Sequence, residues 1–443
     1  MELIVKVLKS RQAVGMNRVN LMLVLAAAVI SLTGCGEDNS NGPVQNAGTM
    51  FIYTSNSGPA SNSISTFQVT PTSGVLVPLG MPIAAGTTPQ QVVLDTSGQF
   101  AMVANAGSAN LSSYQIGSTG TLSLLATTPV GTNPQPATID PLDRFLFVPN
   151  FGSANLSVFT FNSTTGALAA VAGSPFATGT NPESATVDPQ GRFVWINNVA
   201  DGNISMFFIN PVGVPFLTPA PLSPLPTGTT PQRVTFLTLP NTKLIAYIAN
   251  AGDGTISAFE VNQTNSGFIL PAVLGSPYTT GTTPSAVTIN PLGTLAFVAN
   301  AITNDVSVYT IDQATGALTV VQNPGPPPSN SFPAGTNPNA VTLNPAGTFA
   351  FVANATSANV SVYAVNQLTG VLTQVAGSPF LTGGIQAQRV TLDPTGQFAF
   401  VSNLGSDSIA VFSINQVTGV LTPAAGSPFA AGDQPLQPAV VIR

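Results

Sequence analysis

The segment Asn344–Asn354 reads NPAGTFAFVAN, and the phrase returns as DPTGQFAFVSN over Asp393–Asn403. Asp or Asn followed by Pro and Gly makes a turn, because the first side chain bonds nearby backbone and Gly accepts positive φ. The apolar run that follows is too short for a helix and reads as a strand buried on both faces. Outward from these copies, a hydrophobic strand ending in Asn recurs as FIYTSN, AMVAN, LFVPN, VWINN, AYIAN and a further AFVAN. Its asparagines there are Asn56, Asn105, Asn150, Asn198, Asn250 and Asn300. Successive copies lie 45 to 54 residues apart. A period of that size, with several short strands per unit, predicts an all-β chain folded as one closed β-propeller.

Four strands fit each unit. In one copy, strand a is expected over Ala137–Asp140, strand b over Phe145–Val148, strand c over Leu156–Phe161, and strand d from Leu168. Strand c alternates apolar and polar positions, as in VSVYAV from Val360 and IAVFSI from Ile409, which is the period of a strand. Thr-Gly pairs such as Thr369-Gly370 turn c into d. The repeat region enters on a strand b, Met50–Ser55, and continues through c and d, whereas Gln434–Ile442 reads as a lone strand a. Joined, these pieces complete one blade and hide both sheet edges. With seven internal units the expected count is eight blades, seven being the alternative.

Charged residues make up 6% of the chain and hydrophobic residues 44%, which implies a large core under a surface of uncharged polar side chains. Residues 1–34 hold four of the ten basic and one of the sixteen acidic residues, leaving six bases against fifteen acids in the remainder. That excess of negative charge repels a phosphate backbone and argues against a nucleic-acid partner. A monomer is expected.

Residues 1–34 read as an export signal. The basic residues Lys6, Lys9, Arg11 and Arg18 precede an apolar run, Leu21–Ile30, too short to span a bilayer. A start at Met16 would leave the same signal intact. The run leads to Leu32-Thr33-Gly34-Cys35, which resembles the bacterial lipobox and marks Cys35, the chain's one cysteine, for lipidation. Residues 35–49 then form the lipidated Cys and a flexible, Gly- and Asn-rich tether, and residues 50–443 the propeller. The expected location is the cell envelope, on the membrane through the lipid. The residue after the cysteine is Gly36 rather than the Asp typical of inner-membrane retention, which favours the outer membrane of a Gram-negative cell.

The repeat phrases resemble the bacterial β-propeller lactonase family, named for seven blades and built on YVTN-type repeats. The marks are DPxGxFxFVAN, SxNxSVYxxxxxTGxL and GSPF, the last at Gly377-Ser378-Pro379-Phe380 and Gly426-Ser427-Pro428-Phe429. The resemblance covers Met50 to Arg443 and implies hydrolysis of a sugar-acid lactone. The departure is the count, eight copies rather than seven.

The chain has no histidine, so it lacks His-based general bases, triads and His-ligated metal sites. No GxGxxG, P-loop or GxSxG sequence is present, and neither cofactor nor metal is expected. Asp95, Asp140, Asp188 and Asp393 share one repeat position with Asn290 and Asn344, so they read as turn caps, as does the recurrent strand-end Asn. The residues opening strand a differ between copies, and these line the mouth of the central channel: Gln90, Glu183, Gln232 with Arg233, and Gln388 with Arg389. Arg233 and Arg389 occupy equivalent positions, and with Glu183 they could bind a carboxylate or sugar acid bidentately. No catalytic residue is assigned. Pro-rich stretches over 211–226 and 324–333 read as lengthened d-to-a links on that same face. With so few bases, the sequence by itself favours a binding platform for a protein or glycan, with a lactonase-like hydrolase as the alternative.

Replacing Cys35→Ala should abolish palmitate labelling and release the protein from the membrane fraction. A variant that labels and pellets as before would refute the anchor.

Overall fold

The computed structural model describes residues 48–213, 215–261, 269–325 and 329–443. Cys35, the expected export signal and the expected tether through residue 47 lie outside the described residues.

Eight antiparallel sheets follow one another along the chain, one per blade. Blade 3 shows the plan, with strand a at Thr138–Ile139, b at Phe145–Asn150, c at Asn155–Phe161 and d at Leu168–Ala170. Blade 1 is composite: Met50–Asn56, Ser63–Val69 and Leu76–Pro78 are its strands b, c and d, and Ala439–Ile442 is its strand a. Met50 pairs with Ile442 and Tyr53 with Ala439. The ring therefore has eight blades and closes by the expected junction.

The core lies between blades. In blade 7, Phe351 and Ala353 of strand b (Phe349–Asn354) pack with Val390 and Phe412 of blade 8, while Ala350 and Val352 pack with Phe297 and Val308 of blade 6. Period-2 alternation thus sends successive side chains to opposite neighbours, which is why strand b is apolar throughout. Each buried Phe or Val contributes roughly 1.5–3 kcal/mol. The Gly of the c–d turn rests on the preceding blade. A Cβ on Gly419 would come within 2.5 Å of the Phe349 ring, and its φ is +74°, so no other residue fits that approach without strain.

The strand-end asparagines do more than cap a turn. Asn105 Nδ2 donates to Ser112 Oγ at 2.9 Å, and its Oδ1 accepts from Gly86 N–H in the link entering the same blade, at 3.1 Å. The buried amide ties strand c to the incoming chain. Asp95, Asp140, Asp188 and Asp393 each accept a hydrogen bond from the first backbone N–H of strand b, as do Asn290 and Asn344. Asp140 and Asp188 also pair with Arg144 and Arg192 at 2.8 and 2.9 Å.

The outermost strand is split in seven of the blades, a feature not legible in the repeat pattern. After strand d the chain bends and adds a two-residue strand, Phe176–Ala177 in blade 3, against the other end of strand c. In five of these blades a Ser-Pro pair, preceded by Gly in all but Leu222-Ser223-Pro224, makes the bend. Ser174, Ser223, Ser276, Ser378 and Ser427 each accept, through Oγ, the N–H that strand c leaves open there, at 2.8 to 2.9 Å. This corrects the reading of the Pro-rich stretches. The first holds the c–d turn, strand d (Leu217–Pro219) and the added strand (Leu225–Pro226) of blade 4. The second, where described, lies in the outer bend of blade 6 before Phe332–Pro333. Neither is a link at the channel mouth.

Deleting residues 434–443 should expose the edge of Met50–Asn56 and cause aggregation or a large fall in melting temperature. An unchanged melting curve would mean the ring closes without this strand.

Candidate functional site

The strands a stand side by side around the axis. Thr138, Thr235, Thr288 and Thr342 each donate a side-chain hydrogen bond to a strand a carbonyl of the next blade, and Thr391 to Pro438 O just before the closing strand, at 2.7 to 3.2 Å. This belt fixes the channel wall below the mouth, where strand a begins. Thr186 holds the same position in blade 4, yet its Oγ1 is buried with no partner. It lines a cleft of about 140 Å³ together with Thr138, Ala185 and Arg233.

The mouth residues separate into two groups. Gln232 folds back, donating from Nε2 to Thr230 O at 3.1 Å, and so serves its own turn. Gln90 is held by its backbone N–H on Ala104 O at 2.7 Å, and Gln388 is half-buried. Arg233 instead feels the charges of both Glu183 and Arg389. Burial raises the pKa of Glu183, while a hydrogen bond from Asn197 and the positive field of Arg233 partly oppose the shift. Burial lowers the pKa of Arg233 against the favourable field of Glu183. That of Arg389 is lowered by burial and then by the like charge of Arg233. Arg233 keeps open side-chain surface although protein crowds it, as expected of a group that lines a cleft.

Arg389 Nη1 donates to Gln437 Oε1 at 3.4 Å, and Gln437 Nε2 donates to Thr391 Oγ1 at 3.2 Å. The closing strand thereby steadies an arginine of the last blade. Asn197 Nδ2 reaches both Glu183 Oε2 at 3.3 Å and Pro231 O at 2.9 Å, bridging blades 4 and 5. Asn197, Gln437 and Thr186 were missed in the sequence. Asn197 did leave a signal: VWINN alone has Asn before the strand-end Asn, where the other copies carry Ala, Ser or Pro.

Four of the six cations beyond residue 35 serve the scaffold. Arg144, Arg192 and Lys243 are ion-paired, and Arg443 donates to Gly117 O at 3.0 Å. Among the described residues, Arg233 and Arg389 have no carboxylate within ion-pair distance. Likewise among these residues, no three His, Cys, Asp or Glu side chains converge as a metal site.

Because Glu183 has its pKa raised by folding, its ionisation opposes folding. That penalty is absent below the unfolded-state pKa and grows as pH rises through the folded-state value. Glu183→Gln should therefore raise the melting temperature more at pH 7 than at pH 4. An equal change at both values would contradict the burial of this carboxyl.

The lactonase, seven-bladed β-propeller family matches the chain in overlapping stretches, 35–137, 108–182, 133–332 and 177–385, which together cover well over half of it. No curated protein matches. Among solved structures, a candidate 6-phosphogluconolactonase of Bacteroides uniformis is 21% identical with TM-score 0.58, the alignment covering 89% of this chain and 99% of that one. One of Bacteroides fragilis is 20% identical with TM-score 0.58, covering 90% and 100%. The periplasmic gluconolactonase of Pseudomonas aeruginosa is 16% identical with TM-score 0.56, covering 88% and 99%. At such identities these structures support the fold alone. The family match overturns the expectation of a non-enzymatic platform for a protein or glycan and favours the lactonase-like alternative. The chain belongs to the seven-bladed β-propeller lactonase family, whose repeat it carries in a ring of eight.

Proposed function

We propose that this protein is an exported, lipid-anchored hydrolase that opens sugar-acid lactones at the mouth of its channel. The observation that carries the reading is Glu183, whose pKa is raised, together with Arg233 and Arg389, two arginines of the mouth with no carboxylate in ion-pair distance among the described residues. A general base works best with a pKa near the operating pH, and burial moves Glu183 in that direction.

In this reaction Glu183 takes a proton from water, and the oxygen adds to the lactone carbonyl carbon. Arg233 holds the negative charge that develops on the carbonyl oxygen. The ring C–O bond then breaks, and the departing alkoxide recovers the proton from Glu183, giving an open hydroxy acid. Arg389, oriented by Gln437, binds the anionic product or an acidic group elsewhere on the substrate. Asn197 keeps the Glu183 carboxylate pointed at the water.

Gluconolactone and 6-phosphogluconolactone should be hydrolysed above their spontaneous rates. Glu183→Gln should lower kcat by about 10²–10⁴-fold, the usual contribution of a general base. The deprotonated carboxyl is the active form, so kcat/KM should fall as pH drops through a pKa above the ordinary glutamate value. Asn197→Ala removes an interaction that lowers this pKa, so the acid limb should move to higher pH. Arg389→Ala should raise KM more than it lowers kcat. A rate no greater than the spontaneous one with every lactone tested would refute the proposal.

A further inference from the structure

In each blade the a–b and c–d turns lie at one end, and the b–c turns and d–a links at the other. Exposed apolar side chains are unevenly shared between these ends. Val212, Leu368 and Val417, at the tips of c–d turns, are 98, 90 and 87% exposed. Leu142 and Leu292, in a–b turns, are 57 and 65% exposed. These five come from blades 3, 4, 6, 7 and 8, so they are spread around the ring. The opposite end shows three, Ile302, Leu381 and Ile385, among the exposed carboxylates Asp201, Asp253 and Asp407, whereas the first end carries the exposed carboxylate Asp312 in the c–d turn of blade 6. Isolated exposed Leu or Val residues are ordinary. Their concentration on turn tips at one end, where they support no core, is not.

The point of chain entry lies at that same end. Met50 opens strand b of blade 1, and every strand b begins at the a–b turn. Twelve residues separate Cys35 from Gly48, and a Gly-rich chain of that length spans about 20 Å root-mean-square. A seven-residue strand is about 23 Å tall. A tether entering at the a–b end therefore holds that end near its lipid, and it is too short on average to pass the rim and present the other end.

We infer that the end bearing the a–b and c–d turns rests on the lipid bilayer, with Val212, Leu368, Val417, Leu142 and Leu292 inserted among the headgroups. The channel mouth with Glu183, Arg233 and Arg389 then opens away from the membrane toward dissolved substrate. The inference rests on acylation of Cys35. The cations of the docking end are bound in ion pairs or to carbonyl groups, so insertion is apolar and needs no anionic lipid.

The test uses the full acylated protein in phosphatidylcholine vesicles. Once Cys35 carries lipid, a new cysteine can take an environment-sensitive dye. Leu368→Cys and Thr356→Cys place the dye at opposite ends of blade 7, both at exposed positions. The Leu368 dye should shift to the blue and be quenched several-fold less by an aqueous quencher, while the Thr356 dye should behave as in water. In the triple variant Val212→Ser, Val417→Ser, Leu292→Ser, the shielding of the Leu368 dye should diminish. Acylated, vesicle-bound protein whose two dyes are equally quenched, or whose Thr356 dye alone is shielded, overturns the docking. Mass spectrometry showing Cys35 without lipid overturns the anchor and the docking together.

Discussion

Strand b of every blade has no solvent side, and the rest of the molecule follows from that. A strand whose two faces are both apolar is stable only between two neighbours, so a row of such blades has no acceptable end. Met50–Asn56 would be the exposed terminus of the row if Ala439–Ile442 did not pair with it. The junction also does more than close the ring. It brings Gln437 to Arg389, and Arg443 to the c–d turn of blade 2. A closed ring then fixes the channel wall, where five threonines of the strands a bond to the next blade.

How far the sequence was readable depended on whether a residue repeats. Blade count, strand order and the composite blade follow from the recurrent asparagines and the alternation of strand c. The split outer strand was hidden, because GSPF looks like punctuation until its serine is seen to accept a hydrogen bond from strand c. The Pro-rich stretches were misplaced for the same reason: proline density suggested a long link, but it belongs to that outer bend. In the site, Arg233, Arg389 and Glu183 stood out as charges at a position where other copies are neutral. Gln232 looked equivalent by position, yet its amide is committed to its own turn. Asn197 acts across a blade boundary, and sequence spacing within one repeat carries no information about that.

Scarcity of charge is itself organised. The scaffold uses carboxylates as buried caps and pairs or bonds four of the six cations beyond residue 35, leaving Arg233 and Arg389 at the axis. Absence of histidine removes the commonest base, and in the proposed hydrolysis a glutamate whose pKa burial raises takes that part.

The number of blades has a geometric consequence for the axis. All the interfaces between blades are built alike, so one more unit can join without new chemistry. Each addition nonetheless moves every strand a outward and enlarges the hole they surround. In a tighter ring, small side chains would already fill the centre. Here arginines from blades 5 and 8, three places apart, come near enough across the axis for the charge of one to act on the other. Blade number thus works as a setting for aperture, acting on the width of the mouth independently of the residues that line it.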